Sequence, residues 1–206
     1  MARTRTWSVV VVTVLTSLAV VAGSSAAGGI SMQRKVPPSD WVAAVCSKLG
    51  DWNGGLQGAV RRETNSLPSI QKLHGTARVR KAKEIVQTLV RESVAITKKA
   101  SKGLGKVGEP DVANGAELNA VIITGFSRVL RGFEQAKRTA AALPTNSEAV
   151  FTKQARRLGL QINQLGQRAR KDFATLRKRD TSGAVIAAIA ANPSCGTFSG
   201  SGASGG

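Results

Sequence analysis

The sequence predicts an all-α fold: an antiparallel (up-down) four-helix bundle with a short extra C-terminal helix. Three observations carry that expectation. Apolar residues recur at alternating three- and four-residue spacings in four separate segments, which places them on one face of a helix. Pro and Gly punctuate the chain between those segments. The last two segments are joined by only about four residues, which makes them antiparallel neighbours.

The most regular segment is 145–176, where Phe151, Ala155, Leu158, Ile162, Leu165, Ala169 and Leu176 form one seam. A seam of this kind has to be buried against matching ones, and the earlier segments supply them. Pro37 and Pro38 stop any preceding helix, and Ser39 is placed to cap a first helix over 39–64. Its seam is Val42, Val45, Leu49, Trp52, Leu56 and Ala59. Gly50, Gly54, Gly55 and Gly58 weaken it by about 1 kcal/mol each relative to Ala, so either packing holds it or it bends near Gly54.

Asn65, Ser66 and Pro68 mark a turn, and a second helix is expected over 68–105, with a kink at Gly75. Its seam is Ile70, Leu73, Ala82, Val86, Leu89, Ser93, Ile96 and Ala100, and Arg78, Arg80, Lys81, Lys83, Lys98, Lys99 and Lys102 fall outside it. Gly103, Gly105 and Gly108 spell GxGxxG, but they follow a helix instead of a strand. Helix C-cap glycines ahead of Pro110 explain them better than a dinucleotide loop does.

A third helix over 114–143 carries Leu118, Ile122, Phe126, Val129, Phe133, Ala136, Ala140 and Leu143, with Asn114 and Glu117 at capping-box spacing. Thr145 and Glu148 give a second such box for a fourth helix over 146–179. The run 184–191 then reads as a short apolar helix stopped by Asn192 and Pro193. The resulting division is a secretory signal peptide at 1–26, a flexible linker at 27–38, a helical bundle domain at 39–195 and a disordered Gly/Ser tail at 196–206. Seams built mostly of Ala, Val and Leu suit a pair of hairpins joined as a dimer as well as a monomer, so they leave the oligomeric state open.

Trp52, Asn53 and Gly54 form a WxG triplet like that of small hairpin substrates of type VII secretion. Those proteins are shorter and have no signal segment, and the seam already accounts for Trp52 as a core residue. The order of features is a signal segment, a Trp-bearing first helix with one Cys, a Gly-Pro turn, two capped helices and a Pro-x-Cys end. In that layout the chain resembles uncharacterised secreted helical proteins of actinobacteria. The resemblance implies an extracytoplasmic bundle and supplies no active site.

Composition points to partners. Lys and Arg number 30 against 12 acidic residues, a net charge of +18. Without Arg3 and Arg5 of the leader, the basic residues still exceed the acidic ones by 16, so the charge belongs to the mature chain. Such an excess attracts an anionic envelope polymer or an anionic lipid surface, and the other reading is charge that serves solubility in a chain with an unrelated protein partner. A nucleic-acid-binding bundle is the alternative, disfavoured by export and by an aromatic content of 4% with no Tyr. Enzymatic activity is not expected. His74 is the one histidine and has no acidic or Cys neighbour in sequence, the carboxylates form no metal or acid/base spacing, and no cofactor is implied. Cys46 and Cys195 allow a single intramolecular disulfide in an exported chain.

The outward columns of the fourth helix are Arg156, Asn163, Arg170, Arg177 and Arg157, Gln164, Lys171, Lys178. Six are cationic and none is acidic, whereas a merely solvated helix mixes signs for i,i+4 pairing. Arg156, Arg157, Arg170, Lys171, Arg177 and Lys178 are therefore the candidate anion-binding residues. The basic pair before the apolar run from Trp7 to Ala22, and the small residues after it, predict cleavage after Ala26 or Ala27. N-terminal sequencing of the extracellular protein should read Ala27 or Gly28, whereas an intact Met1 in the membrane fraction would replace export with anchoring.

Overall fold

The computed structural model describes residues 34–195, apart from the side chains of 168–174 and Arg177. The signal segment, the first part of the linker and the Gly/Ser tail lie outside these residues. Within them the chain is an all-α helical bundle. Its elements are a two-residue strand β1 (Lys35–Val36), α1 (Pro38–Asn65), α2 (Leu67–Gln71), α3 (Gly75–Leu104), β2 (Glu109–Pro110), α4 (Gly115–Ala141), α5 (Glu148–Arg179), α6 (Ala184–Ala191) and a closing 3₁₀ turn (Pro193–Cys195).

Every seam residue expected of α1 is buried, as is every one expected of α4, including Leu143 just past its end. The glycines do not interrupt α1, which is continuous through Gly54. In α3 the buried stripe is broader than the seam. It takes in Val79, Ile85, Val90 and Thr97 and leaves Val86 and Ile96 only partly covered. A helix with neighbours on two sides buries a wider arc than one 3,4 row describes.

The core is pinned by polar atoms of its largest side chains. Trp52, 1% exposed, donates Nε1–H to Thr97 Oγ1 at 2.9 Å and sets its ring edge-on to Phe126, with centroids 5.1 Å apart. Trp41 donates Nε1–H to the Gly108 carbonyl at 3.1 Å. The contacts also give helix directions. Lys48 lies over Gly103 and Arg62 pairs with Glu92, so α1 and α3 run oppositely. Lys83 and Gln87 reach the carbonyls of Leu143 and Ala140, so α3 and α4 do the same. Gly132 faces Leu165 and Asn114 reaches Arg179, which relates α4 to α5 in the same sense.

Element ends differ from expectation. Lys35 and Val36, at the end of the expected linker, pair in parallel with Glu109 and Pro110, and Asp111 N–H donates to the Val36 carbonyl at 2.7 Å. α1 begins at Pro38, and Ser39 hydrogen-bonds Asp40 instead of capping the helix. The expected second helix is interrupted. The turn 72–74 separates α2 from α3, and Gly75 opens α3 at φ +55, a left-handed conformation that glycine adopts without steric cost.

Neither capping box forms. Asn114 and Glu117 both turn to Arg179, and α5 is capped by Ser147, whose Oγ accepts from Val150 N–H. Asp180 was not expected to act at all. It accepts Ile186 N–H at 2.8 Å and the Ser182 hydroxyl at 2.7 Å, fastening the start of α6.

The Cys46–Cys195 disulfide is present, with a Cα–Cα distance of 5.3 Å and both residues buried. It fixes the chain's end to α1. In the chain-entropy account, closing a loop of 149 residues stabilises by at most about 5 kcal/mol, less where the unfolded chain is compact. The double replacement Cys46→Ser with Cys195→Ser should lower the urea midpoint without removing far-UV helicity, and an unchanged midpoint would show that the bond adds nothing.

Candidate functional site

The six expected anion-binding residues share one helix but not one spot. Arg156 and Arg157 are exposed in the first half of α5, and Lys178 is exposed near its end. A rise of 1.5 Å per residue puts Arg156 and Lys178 about 33 Å apart. The side chains of Arg170, Lys171 and Arg177 lie outside the described set. Of the expected outward positions between them, Gln164 is exposed. Asn163 is half-buried, with its amide oxygen out of water and without a hydrogen-bond partner, so that column dips inward at mid-helix.

Beside Arg156 and Arg157 stand Lys153 and Leu160, and Leu160 is 55% exposed. Glu148 lines the same shallow depression from the helix start. On the inner side of α5, Phe151, Leu158 and Ile162 face Ile85 and Leu89 of α3 across an apolar groove.

A second basic region takes Lys99 and Lys102 from the outward basic residues of the expected second helix, the other binding candidate in the sequence, and joins them to cations of other elements. It lies where the first half of α1 meets the end of α3 and the strand pair. Lys48, Lys99, Lys102 and Lys106 line one concavity with Asp51, and Arg34, Lys35, Lys48 and Lys106 line the next with Asp40. The two share Lys48, Gly103 and Lys106, so they adjoin where Lys48 crosses α3 and together make a two-part basic cleft.

Its shape depends on glycine. A Cβ at Gly103 would stand 3.3 Å from Lys48 Cδ, so a bare backbone lets the Lys48 stem cross α3 there. Gly108 sits at φ +93, and a Cβ on it would fall on the Arg34 carbonyl oxygen. The GxGxxG run is therefore a turn that brings basic residues together. The only sequence signal for it was the density of Lys around those glycines.

Ion pairs among the described residues join Lys35 to Glu109 at 3.3 Å, Lys48 to Asp51 at 3.8 Å, Arg62 to Glu92 at 2.7 Å, Lys81 to Glu84 at 2.6 Å, and Arg179 to Glu117. Arg156, Arg157 and Lys178 take part in none of them. His74 is exposed at the turn before α3. No group of three or more His, Cys, Asp or Glu able to hold a metal ion occurs among the described residues, and no helix among them is long and apolar enough to cross a membrane. Compared with known proteins, the chain matches no family model, no curated protein and no solved structure at a significant level.

Among the described residues, Glu63 and Lys81 titrate away from their ordinary values. Burial, and then the charge of Glu92, push the Glu63 carboxyl up, against the pull of Arg62, Lys81 and Arg91. The hydrogen bond from Lys81 to Glu84 raises the Lys81 ammonium, which is fully exposed. Because the folded state holds the Glu63 proton more tightly than the unfolded chain does, this group's contribution is fully present below its ordinary value of 4.5 and is lost as pH rises through the raised value. Urea unfolding of wild type and Glu63→Gln should therefore diverge in the variant's favour as pH rises from below 4.5 toward neutrality. A difference constant over that range would contradict the assignment.

Proposed function

We propose that this chain is an extracytoplasmic, non-enzymatic helical-bundle protein whose basic faces hold an anionic partner: an envelope polymer, an anionic lipid surface or an acidic protein. In this reading α1, α3, α4 and α5 make an up-down four-helix bundle with α6 as the extra C-terminal helix. The opposed directions of the α1/α3, α3/α4 and α4/α5 pairs support that arrangement. The leader read at 1–26 and a disulfide of the kind that persists in oxidising compartments support export. The layout shared with secreted actinobacterial helical proteins agrees with it.

The observation that carries the anion-binding reading is the placement of the few carboxylates. Those in the described ion pairs sit with Lys35, Lys48, Arg62, Lys81 and Arg179. The exposed charges of Arg156, Arg157 and Lys178 are left pointing at solvent on a stripe tens of ångströms long. A row of that length matches an extended polyanion or a charged surface better than a small anion.

Retention of the full chain on isolated cell walls, teichoic-type polymers or anionic vesicles should fall steeply from low to physiological salt. Replacing Arg156, Arg157, Arg170, Lys171, Arg177 and Lys178 by Gln should weaken retention several-fold with little change in melting, because surface substitutions usually alter stability by under about 0.5 kcal/mol. Retention unchanged by the six substitutions would take α5 out of the binding surface.

A further inference from the structure

We infer that the cleft between the first half of α1 and the end of α3 is the seat of one strand of a linear phosphate-bearing polyanion, an assignment that rests on the anion-binding reading above. Six cations, Arg34, Lys35, Lys48, Lys99, Lys102 and Lys106, line it against Asp40 and Asp51. Lys35 and Lys48 have carboxylate partners at 3.3 and 3.8 Å, while Lys99, Lys102 and Lys106 are exposed and belong to none of the described ion pairs. Arg34 is likewise exposed and outside those pairs, so four of the six cations are without a described carboxylate partner.

The walls are built before any ligand arrives. Lys106 N–H donates to the Gly103 carbonyl, Val107 N–H to Leu104, Glu109 N–H to Arg34, and Trp41 Nε1–H to Gly108, all at 3.1 Å. A loop held this way loses little freedom on binding.

The chemistry of the lining selects the ligand class. Five of the six cations are Lys, compact point charges that meet the tetrahedral oxygens of a phosphate from any side, without the planar two-point geometry that an Arg fork offers carboxylate and phosphate alike. The ring of Trp52, which lies under the cleft, is 1% exposed and offers no platform for stacking bases, so a phosphate chain fits better than a nucleic acid read through its bases. The cations also line a concavity. The large apolar side chains standing out to solvent among the described residues, Val150 and Leu160, are both on α5, so the cleft has no apolar anchor for a bilayer. A single chain enters such a groove, and a flat lipid surface does not.

The test uses full-length mature protein with a short linear polyphosphate and, in parallel, a poly(glycerol phosphate) oligomer, followed by calorimetry over a salt series and by amide NMR. Lys99→Gln, Lys102→Gln and Lys106→Gln combined should weaken binding at least tenfold and reduce the slope of log affinity against log salt by about 2, at roughly 0.7 per phosphate contact. Arg61→Gln, Lys72→Gln and Lys137→Gln combined, three exposed cations outside both the cleft and the α5 stripe, should change soluble-strand binding by less than threefold. In the wild type, the amides of Gly103, Gly105 and Gly108 should shift on titration, which decides the matter even if the cleft variant fails to fold.

Tight binding of polyphosphate but not of the glycerol polymer, or the reverse, identifies the source of the phosphate and supports the site either way. Binding that leaves those glycine amides unmoved, or that the sixfold α5 variant loses and the cleft variant keeps, overturns the cleft while leaving the anion-binding reading in place. Absence of binding to either strand, together with absence of retention on cell walls and vesicles, overturns both.

Discussion

Trp52 is the contact on which the arrangement of the long helices depends. Its ring comes from α1, its indole N–H is satisfied by Thr97 of α3, and its ring meets that of Phe126 of α4 in a T-shaped contact. A buried indole without an acceptor would leave its N–H desolvated at a cost of about 1–3 kcal/mol, so Thr97 is as necessary as the ring. One side chain thus sets the register of three helices at once. Ile96, the residue before Thr97, lies where a Cβ on Gly55 would be 3.0 Å from its Cγ2, so glycine at 55 leaves room for the Ile96 side chain beside Trp52. Glycines that read as weak points in α1 are what allow that approach, at least at Gly55.

The long helices were legible because their burial is periodic. Leu118 through Leu143 and Val42 through Ala59 are buried at the positions their spacing indicates. What sequence periodicity could not supply was the competition for caps. Asn114 and Glu117 have the spacing of a capping box, yet Asn114 Nδ2–H donates to the Arg179 backbone carbonyl and Glu117 pairs with the Arg179 guanidinium, sixty-odd positions away, a charge-assisted contact stronger than the neutral cap bond. The strand pair was equally hidden. Two residues of β1 and two of β2 have no alternation to detect, and only the positive φ at Gly108 lets the chain come back beside Arg34.

The charge was legible in amount and only partly in place. A helical wheel put Arg156, Arg157 and Lys178 outward, and they are exposed; it also put Asn163 outward, where the packing of α5 turns it in. The cleft lysines come from β1, α1, α3 and the loop after α3, so no single-helix projection gathers them. Lys99 and Lys102 sit in the last turns of α3, where positive charge also complements the helix dipole. The same two residues thus steady the end of the helix and add to the field of the cleft, a dual use that one segment's sequence does not reveal.

The disulfide has a consequence for a protein that meets proteases. A single cut anywhere between Cys46 and Cys195 divides the backbone but leaves both pieces covalently joined, one still threaded through α1 and the other ending beside it. The severed segments cannot diffuse apart, so their seams stay at high effective concentration and re-form the same core. The exposed turn at 72–74, between α2 and α3, is the kind of site where such a cut falls. A chain nicked there would show two bands on a reducing gel and one on a non-reducing gel, while keeping its shape.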